Sequence, residues 1–234
     1  MVKTNKAVRT LSVDIGGSGI KAIVLDAAGE PVTERGRVDT PQPPKPDAVI
    51  AAIADLAAAQ GEFDRVSAGF PGVVRNGVIY TAVNLDPDWV GFDLATALAE
   101  RLHVPVRVVN DADMQGMGAI SGKGVELTIT LGTGFGSGLF VDGKLVPNLE
   151  MGHHPFRKGE TYEEQLGRAA LDEVGSKKWN SRLEKAIVTL QRLFNPDFIY
   201  IGGGEAKKVT LELPDNVKIV PNVSGLLGGI ALWR

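Results

Sequence analysis

Apolar and polar residues alternate through Leu11, Val13 and Ile15, and after a glycine cluster the alternation resumes at Ile20, Ala22, Val24 and Leu25. A period of two is that of a strand, so the pattern predicts an antiparallel pair meeting at a Gly-rich bend. Ala28-Gly29-Glu30 then turns the chain toward a third strand over Val32 to Val38. The proline-rich stretch Thr40 to Pro46 lacks the N–H donors to continue a sheet, and Pro46 suits the first turn of a helix. Val49, Ile50, Ile53, Leu56 and Ala57 recur at helical spacing, and Gly61 ends that helix near Gln60.

The same reading predicts a strand over Val66 to Phe70, a Pro-Gly turn, a short hairpin across Arg75-Asn76-Gly77, a helix over Leu94 to Leu102 and a strand over Val104 to Val109. The second half reopens the theme: a strand over Val125 to Leu131 runs into GTGFGSG, continues as Leu139-Phe140-Val141 and turns at Asp142-Gly143. Trp179, Leu183, Ala186, Ile187, Leu190 and Leu193 mark an amphipathic helix stopped by Asn195-Pro196, and Phe198 to Ile201 is a buried strand that delivers Gly202-Gly203-Gly204. Strand, glycine loop and strand thus occur twice, which predicts a duplicated α/β architecture with helices covering mixed sheets. Its two lobes are expected at residues 1–109 and 110–234.

Composition sharpens this picture at a few points. Glycine supplies 29 of 234 residues, about 12% against an average near 7%, an excess that glycine turns explain. Cysteine is absent, which excludes disulfides, thiolate zinc and thiol nucleophiles and fits a reducing cytoplasm. A net charge of −3 speaks against a nucleic-acid-coating surface, and no apolar run approaches the roughly 18 residues that span a bilayer.

DIGGSGIK, LGTGFGSG and IGGGEAKK each begin where an apolar strand ends. Side-chain-free turns let backbone N–H groups converge on an anion, so Gly16, Gly17, Gly19, Gly132, Gly134, Gly136, Gly202 and Gly203 are phosphate-binding candidates. Ser18, Thr133 and Ser137 add hydroxyls, and Lys21 adds a charge. One such turn is most simply structural, whereas three at strand ends favour phosphate. No Gly-Lys-Ser/Thr follows, so this is no Walker A loop, and a strand stands where a dinucleotide fold needs a helix.

Asn110 and Asp111 sit at a strand end with Asp113 in the first turn of a following helix. Either of the first two suits a helix N-cap, and a carboxylate beside phosphate loops also suits a base that accepts a hydroxyl proton. Glu150 and His153, three apart in NLEMGHHPF, lack a third metal ligand, so hydrogen bonding to sugar hydroxyls is the better reading. His103, at a helix end, reads as a surface residue.

DIGGSGIK, GFPG (69–72), NLDPDW (84–89), NDAD (110–113), LGTGFGS and EMGH together resemble the ROK family of sugar kinases, and the Gly-Ser-Gly-Ile-Lys form of the first loop is most similar to its polyphosphate glucokinases. The resemblance implies the actin-like or hexokinase-like (ribonuclease H-like) two-lobed ATPase fold. It implies a phosphotransferase that makes glucose 6-phosphate from glucose with polyphosphate or ATP and Mg²⁺. It further implies Asp111 as catalytic base, Asn84, Asn110, Glu150 and His153 as sugar contacts, and Asp14 beside metal and phosphates. The family's third sugar-contacting glutamate follows a cysteine-rich zinc segment. Here GETYEEQLG replaces it, so no zinc is expected and Glu163 or Glu164 takes that role. The short stretch from Gly167 to Gln191 implies a reduced adenine pocket and a donor recognised by its phosphates, for which Lys177-Lys178 and Lys207-Lys208 are the basic residues at hand. A cytoplasmic homodimer without nucleic-acid or membrane partners is the implied setting, with the apolar tail Val223 to Leu227 either at its interface or in a core. Alternatives are a kinase for another hexose or an amino sugar, and a non-catalytic sugar sensor.

Overall fold

The computed structural model describes residues 7–83, 85–221 and 224–234. The chain divides into two compact units, one formed by residues up to Gly118 together with Gly225–Arg234 and the other by Ala119–Ser224. The division expected after residue 109 therefore differs from the one observed: the helix after β7 and the last ten residues belong with the first unit, because they pack on its sheet.

The first unit comprises β1 (Thr10–Ile15), β2 (Gly19–Leu25), β3 (Gly36–Asp39), α1 (Pro46–Gln60), β4 (Arg65–Phe70), the small hairpin β5 (Val74–Arg75) and β6 (Val78–Ile79), α2 (Leu94–Leu102), β7 (Val106–Asn110) and α3 (Asp111–Met117). Its sheet order is β3-β2-β1-β4-β7, with β1, β2 and β3 antiparallel and β1, β4 and β7 parallel. Leu11, Val13 and Ile15 are fully buried in one cluster with Val49 and Ile53 of α1. The alternate face of the same strands is polar yet also buried, with Ser12 and Ser67 at 0% exposure.

The chain's end explains that face. After the second unit, α6 (Ser224–Leu227) and a 3-10 turn over Gly228–Trp233 lie across it. The Ser12 hydroxyl donates to the Leu226 carbonyl and the Ser67 hydroxyl to the Gly229 carbonyl, both at 2.6 Å, while Trp233 Nε1 donates to Ser67 Oγ at 2.8 Å. Backbone can come this close only at glycine: a Cβ on Gly229 would stand 2.3 Å from Ser12 Oγ. Leu226 and Ile230 bury against Ile23 and Leu25, and each such side chain stabilises by about 1.5 to 3 kcal/mol. Leu226 and Ile230 are thus core of the first unit, while Val223 of the apolar tail lies outside the described residues.

Beyond Gly118, β8 (Val125–Leu131), β9 (Phe135–Val141), β10 (Lys144–Val146), the hairpin β11 (Pro155–Arg157) and β12 (Glu160–Thr161), α4 (Tyr162–Leu166), α5 (Arg168–Phe194), β13 (Phe198–Gly202) and β14 (Val217–Ile219) build the second unit. Its order is β10-β9-β8-β13-β14, again three antiparallel strands followed by parallel ones. The two sheets share one connectivity, which is the duplication the paired glycine loops predict. Trp179, Leu183, Ala186, Ile187 and Leu190 of α5 bury against this sheet. The helix is bent at Gly175, where φ is 76°, and Asn195 in the left-handed conformation ends it.

Several elements differ from expectation. The third strand begins at Gly36 rather than Val32, since Thr33 Oγ1 accepts from the Val24 N–H at 3.0 Å and so replaces a ladder bond with a side chain. The β11–β12 hairpin and β14 are too short to produce a period and carry no sequence signal of their own.

Glu126 is fully buried in β8, where its carboxylate accepts from the N–H groups of Ser121, Gly122 and Lys123 and from the Tyr200 hydroxyl. Burial alone would raise its pKa, but the hydrogen bonds led by Ser121 and Tyr200 hold it below the ordinary glutamate value. A lowered folded-state pKa contributes stability above the unfolded value that is lost as pH falls through the folded one. Glu126→Gln should therefore cost about 2 kcal/mol at neutral pH, because an amide N–H₂ then faces buried donors. Denaturant titration over an acidic pH series should also show a flatter acid dependence in the variant than in the parent.

Candidate active site

Parallel register sets the first cluster. Asp14 of β1 pairs with Gly69 of β4, and Gly69 pairs with Val109 of β7, so the strand carrying Asp14 and the strand that ends at Asn110, just before Asp111, flank Gly69, with outer backbones about 10 Å apart. A Cβ on Gly69 would lie 3.1 Å from Asp111 Cα and 2.9 Å from Met114 Cε. Glycine there lets α3 start directly against the sheet.

Asn110, not Asp111, caps that helix. Its Oδ1 accepts from the N–H groups of Ala112 and Asp113 at 2.8 and 3.1 Å, and its Nδ2 donates to the Gly72 carbonyl at 3.1 Å. An amide has two N–H donors, so one is left beyond these contacts. Asp111 is half-buried in the first turn, with Oδ1 accepting from the Ala112 N–H at 2.8 Å. Because Asn110 carries the cap, the carboxylate beside it is not needed for that task.

Gly16, Gly17, Ser18 and Gly19 form the bend between β1 and β2. The Gly16 N–H donates to the Gly19 carbonyl at 3.1 Å, the Thr40 hydroxyl donates to the Gly16 carbonyl at 2.5 Å, and Gly17 and Ser18 are exposed. Lys21 stands opposite Asp14 in the ladder, and its ammonium donates to the Asp14 carboxylate at 2.8 Å. A charge expected to meet phosphate thus already has a carboxylate partner. Asn84 lies outside the described residues. Nearby, Trp89 is fully buried, donates from Nε1 to the Pro44 carbonyl at 2.8 Å and packs against Phe70 and Phe92.

The second unit holds the remaining candidates. Gly132, Thr133 and Gly134 link β8 to β9, while Gly136 lies inside β9 opposite Thr130. Ser137 does not serve this loop: its hydroxyl is buried, donates to the Leu149 carbonyl and accepts from the Met151 N–H at 3.2 Å, because its position in β9 points it at the 149–153 segment. There Glu150 precedes a 3-10 turn over Met151–His153, and Glu150 Oε2 lies 3.6 Å from His153 Nε2.

Glu163 and Glu164 separate cleanly. Glu164 closes a capping box with Thr161, accepting from its N–H at 2.8 Å and exchanging the reciprocal bond. Glu163 instead reaches β9, accepting from the Phe135 N–H at 3.3 Å, and its Oε2 stands where a Cβ on Gly134 would be, 2.1 Å away. The Thr-x-x-Glu spacing is the sequence signal that assigns Glu164 to the cap. Burial raises the Glu150 pKa; His153 opposes the shift, and the charge of Glu163 adds to it. Glu150, His153 and Glu163 therefore form one polar cluster.

Gly202 ends β13 opposite Thr130, and Gly203, at φ 89°, turns so tightly that a Cβ would meet the Leu131 carbonyl oxygen at 2.3 Å. Arg168, which the sequence reading does not single out, joins both glycine turns of this unit. Its N–H donates to the carbonyls of Gly132 and Thr133, and its guanidinium pairs with Glu205 and with Asp172. Among the described residues no helix is long and apolar enough to cross a membrane.

Residues 10–167 match the ROK family. The chain is 31% identical to the polyphosphate glucokinase of Mycobacterium leprae (strain TN) over 95% of its own length and 72% of that protein. It is likewise 31% identical to the polyphosphate glucokinase of Mycobacterium tuberculosis (strain CDC 1551 / Oshkosh) over 92% and 88%. The crystal structure of the inorganic polyphosphate/ATP-glucomannokinase from Arthrobacter sp. strain KM superposes with a TM-score of 0.87 at 34% identity, covering 97% of this chain and all of that one. With the family match running from β1 to the end of α4 and the duplicated sheets carrying its motifs on their strand ends, the chain belongs to the ROK family and has its actin-like, hexokinase-like ATPase fold.

Proposed function

We propose that this chain is a sugar kinase that transfers a phosphoryl group from polyphosphate or ATP to a hexose hydroxyl, converting glucose to glucose 6-phosphate. The observation that carries the reading is the carboxyl edge of β1, β4 and β7, where Asn110 takes the helix cap and Asp111 follows it, across Gly69 from Asp14 and its glycine bend. The names of its relatives in mycobacteria and Arthrobacter support glucose as acceptor and polyphosphate as a donor.

Asp111 accepts the proton of the attacking hydroxyl, which makes the oxygen a better nucleophile as the bond to phosphorus forms. Glu150, His153 and Glu163 accept and donate hydrogen bonds at the other sugar hydroxyls, the remaining amide N–H of Asn110 adds one donor, and Asn84 joins them on its motif. Backbone N–H groups of the exposed bend at Gly17 and of the turn at Gly134, with the Ser18 and Thr133 hydroxyls, hold the donor's phosphates. Gly16, Gly19, Gly132, Gly136, Gly202 and Gly203 shape these turns, the Gly16 and Gly132 N–H groups being taken by the Gly19 and Gly134 carbonyls, and Lys21, paired with Asp14, adds a positive charge beside them. Mg²⁺ requires few protein ligands, taking one or two carboxylates and completing its shell with phosphates and water, so Asp14, whose Oδ2 accepts from Lys21, would hold it at the strand end by its other oxygen. When bound it supplies charge neutralisation at the transferred group. A homodimer in the cytoplasm, a setting that the resemblance and the cysteine-free composition support, completes the reading.

Coupled assays of hexose phosphorylation with ATP and with polyphosphate across a sugar panel test the activity, and no product with either donor would overturn it. Asp111→Asn should retain sugar binding and lose on the order of 10²- to 10⁴-fold in kcat, because the amide preserves shape but cannot take the proton. Turnover near the parent's would remove Asp111 from that role.

Glu150 also gives the reaction a pH dependence. Its carboxylate must be ionised to accept from sugar hydroxyls, and its raised pKa moves the loss of that acceptor to a less acid pH than an ordinary glutamate. Hexose affinity measured by calorimetry between about pH 5 and 7 should fall toward the acid end in the parent. Glu150→Gln should bind more weakly throughout and show a flatter profile.

A further inference from the structure

In the second unit a cavity of about 320 Å³ is lined by Arg157 and Lys158 of the β11–β12 hairpin and by Lys178, Ser181, Arg182 and Lys185 of α5. Positions 178, 181, 182 and 185 recur at helical spacing, so the α5 cations share one stripe and point into the same space as the hairpin's pair. We propose that this cavity is a holding site for an inorganic polyphosphate chain. The proposal rests on polyphosphate as a donor, and adds to it a second point of attachment for the part of the chain that is not reacting.

Two of the five cationic side chains, Arg157 and Arg182, are held in place by neutral groups. Arg157 Nη1 donates to Gln165 Oε1 at 3.0 Å and Arg182 Nη1 to the Gln165 carbonyl at 3.2 Å, and Gln165 is itself buried at 3% exposure. Glu160 faces Arg157 across the hairpin and Glu184 neighbours Lys185 in sequence. Among the described residues, however, neither forms an ion pair with any of the five cations. Lys178 and Arg182 stand at i and i+4, a like-charge spacing that weakens a helix. Lys158 adopts the left-handed conformation at φ 57°, where asparagine or glycine would be the easier residue. Cations gathered at some conformational cost and left without carboxylate partners, in a chain of net charge −3, call for an external anion.

The dimensions and chemistry select the anion. Lys178 to Lys185 spans seven residues of helix, about 10 Å, so the charges are spread along a line and suit an extended polyanion rather than one phosphate. No aromatic side chain lines the cavity, whereas single-stranded nucleic acids are gripped by stacking on such rings. Among the described residues, none from the unit's glycine turns lines the cavity, nor does Arg168, which contacts Gly132 and Thr133.

The test compares the parent with the double variant Lys178→Glu/Lys185→Glu, both positions being exposed, and with Lys158→Asn, which suits the left-handed turn while removing a charge. Steady-state kinetics with long-chain polyphosphate, tripolyphosphate and ATP would be joined by direct binding of long-chain polyphosphate and of an RNA oligonucleotide. The expected result is a KM for long-chain polyphosphate raised about tenfold or more in the double variant, with a shallower salt dependence. The KM for tripolyphosphate and ATP should stay within about twofold of the parent's, and Lys158→Asn should give a smaller shift in the same direction. An unchanged KM for the long chain, an equal rise for all three donors, or tighter binding of RNA than of polyphosphate would overturn the holding site. A parent enzyme that uses ATP but no polyphosphate would overturn the donor reading itself, before any variant is made.

Discussion

The register of three parallel strands around one glycine is the constraint on which the first unit's chemistry depends. Gly69 is paired on one side with Asp14 and on the other with Val109, and α3 begins against it with Asp111 Cα 3.1 Å from where a Cβ would stand. A one-residue slip in either pairing would turn every side chain of that strand to the other face of the sheet. The burial that prevents the slip is thorough: apolar residues of β1 and β4 face α1, and their serines face the end of the chain, which caps them with carbonyl acceptors. The same packing that stabilises the sheet therefore positions the carboxylates.

The second unit reaches a comparable result by different local means. Its glycine turns are tightened by backbone contacts, Gly203 against Leu131 and the Arg168 N–H against Gly132 and Thr133. Glu163 lies over Gly134, in space that a side chain there would occupy. Ser137 is used as an internal strut for the segment bearing Glu150 and His153. The polar cluster thus depends on β9 and α4 together, and the raised pKa of Glu150 is the electrostatic mark of carboxylates brought close under partial burial.

Most of this was legible wherever a long period or a strong breaker existed. α1 is announced by Pro46, its apolar stripe and Gly61, and both hairpins by paired alternation around a glycine bend. What escaped had physical reasons. The third strand is interrupted by Thr33, whose hydroxyl substitutes for a backbone partner and leaves no trace in the hydrophobic pattern. The tail's destination depends on carbonyls meeting Ser12 and Ser67, more than 150 residues away in sequence for each pair, which no local window contains. The Thr-x-x-Glu spacing marks Glu164 as a cap, whereas the sequence left the helix cap open between Asn110 and Asp111 and only the bonds to Ala112 and Asp113 assign it to Asn110. Both caps separate the capping side chains from the neighbouring carboxylates proposed for chemistry. Arg168 was invisible because its partners, Glu205 and the turn at Gly132, are assembled only by the fold.

Turnover of Gly69→Ala is the most direct test of the claim that strand register and close approach at one glycine position the reacting groups. The added methyl pushes on Asp111 and Met114 while leaving every polar side chain chemically intact. The account predicts a folded protein, destabilised by about 1 to 3 kcal/mol as overpacked sites are, that binds glucose as before and loses at least about tenfold in kcat, since displacements near 1 Å suffice for such losses. A folded Gly69→Ala enzyme with the parent's kcat would contradict it.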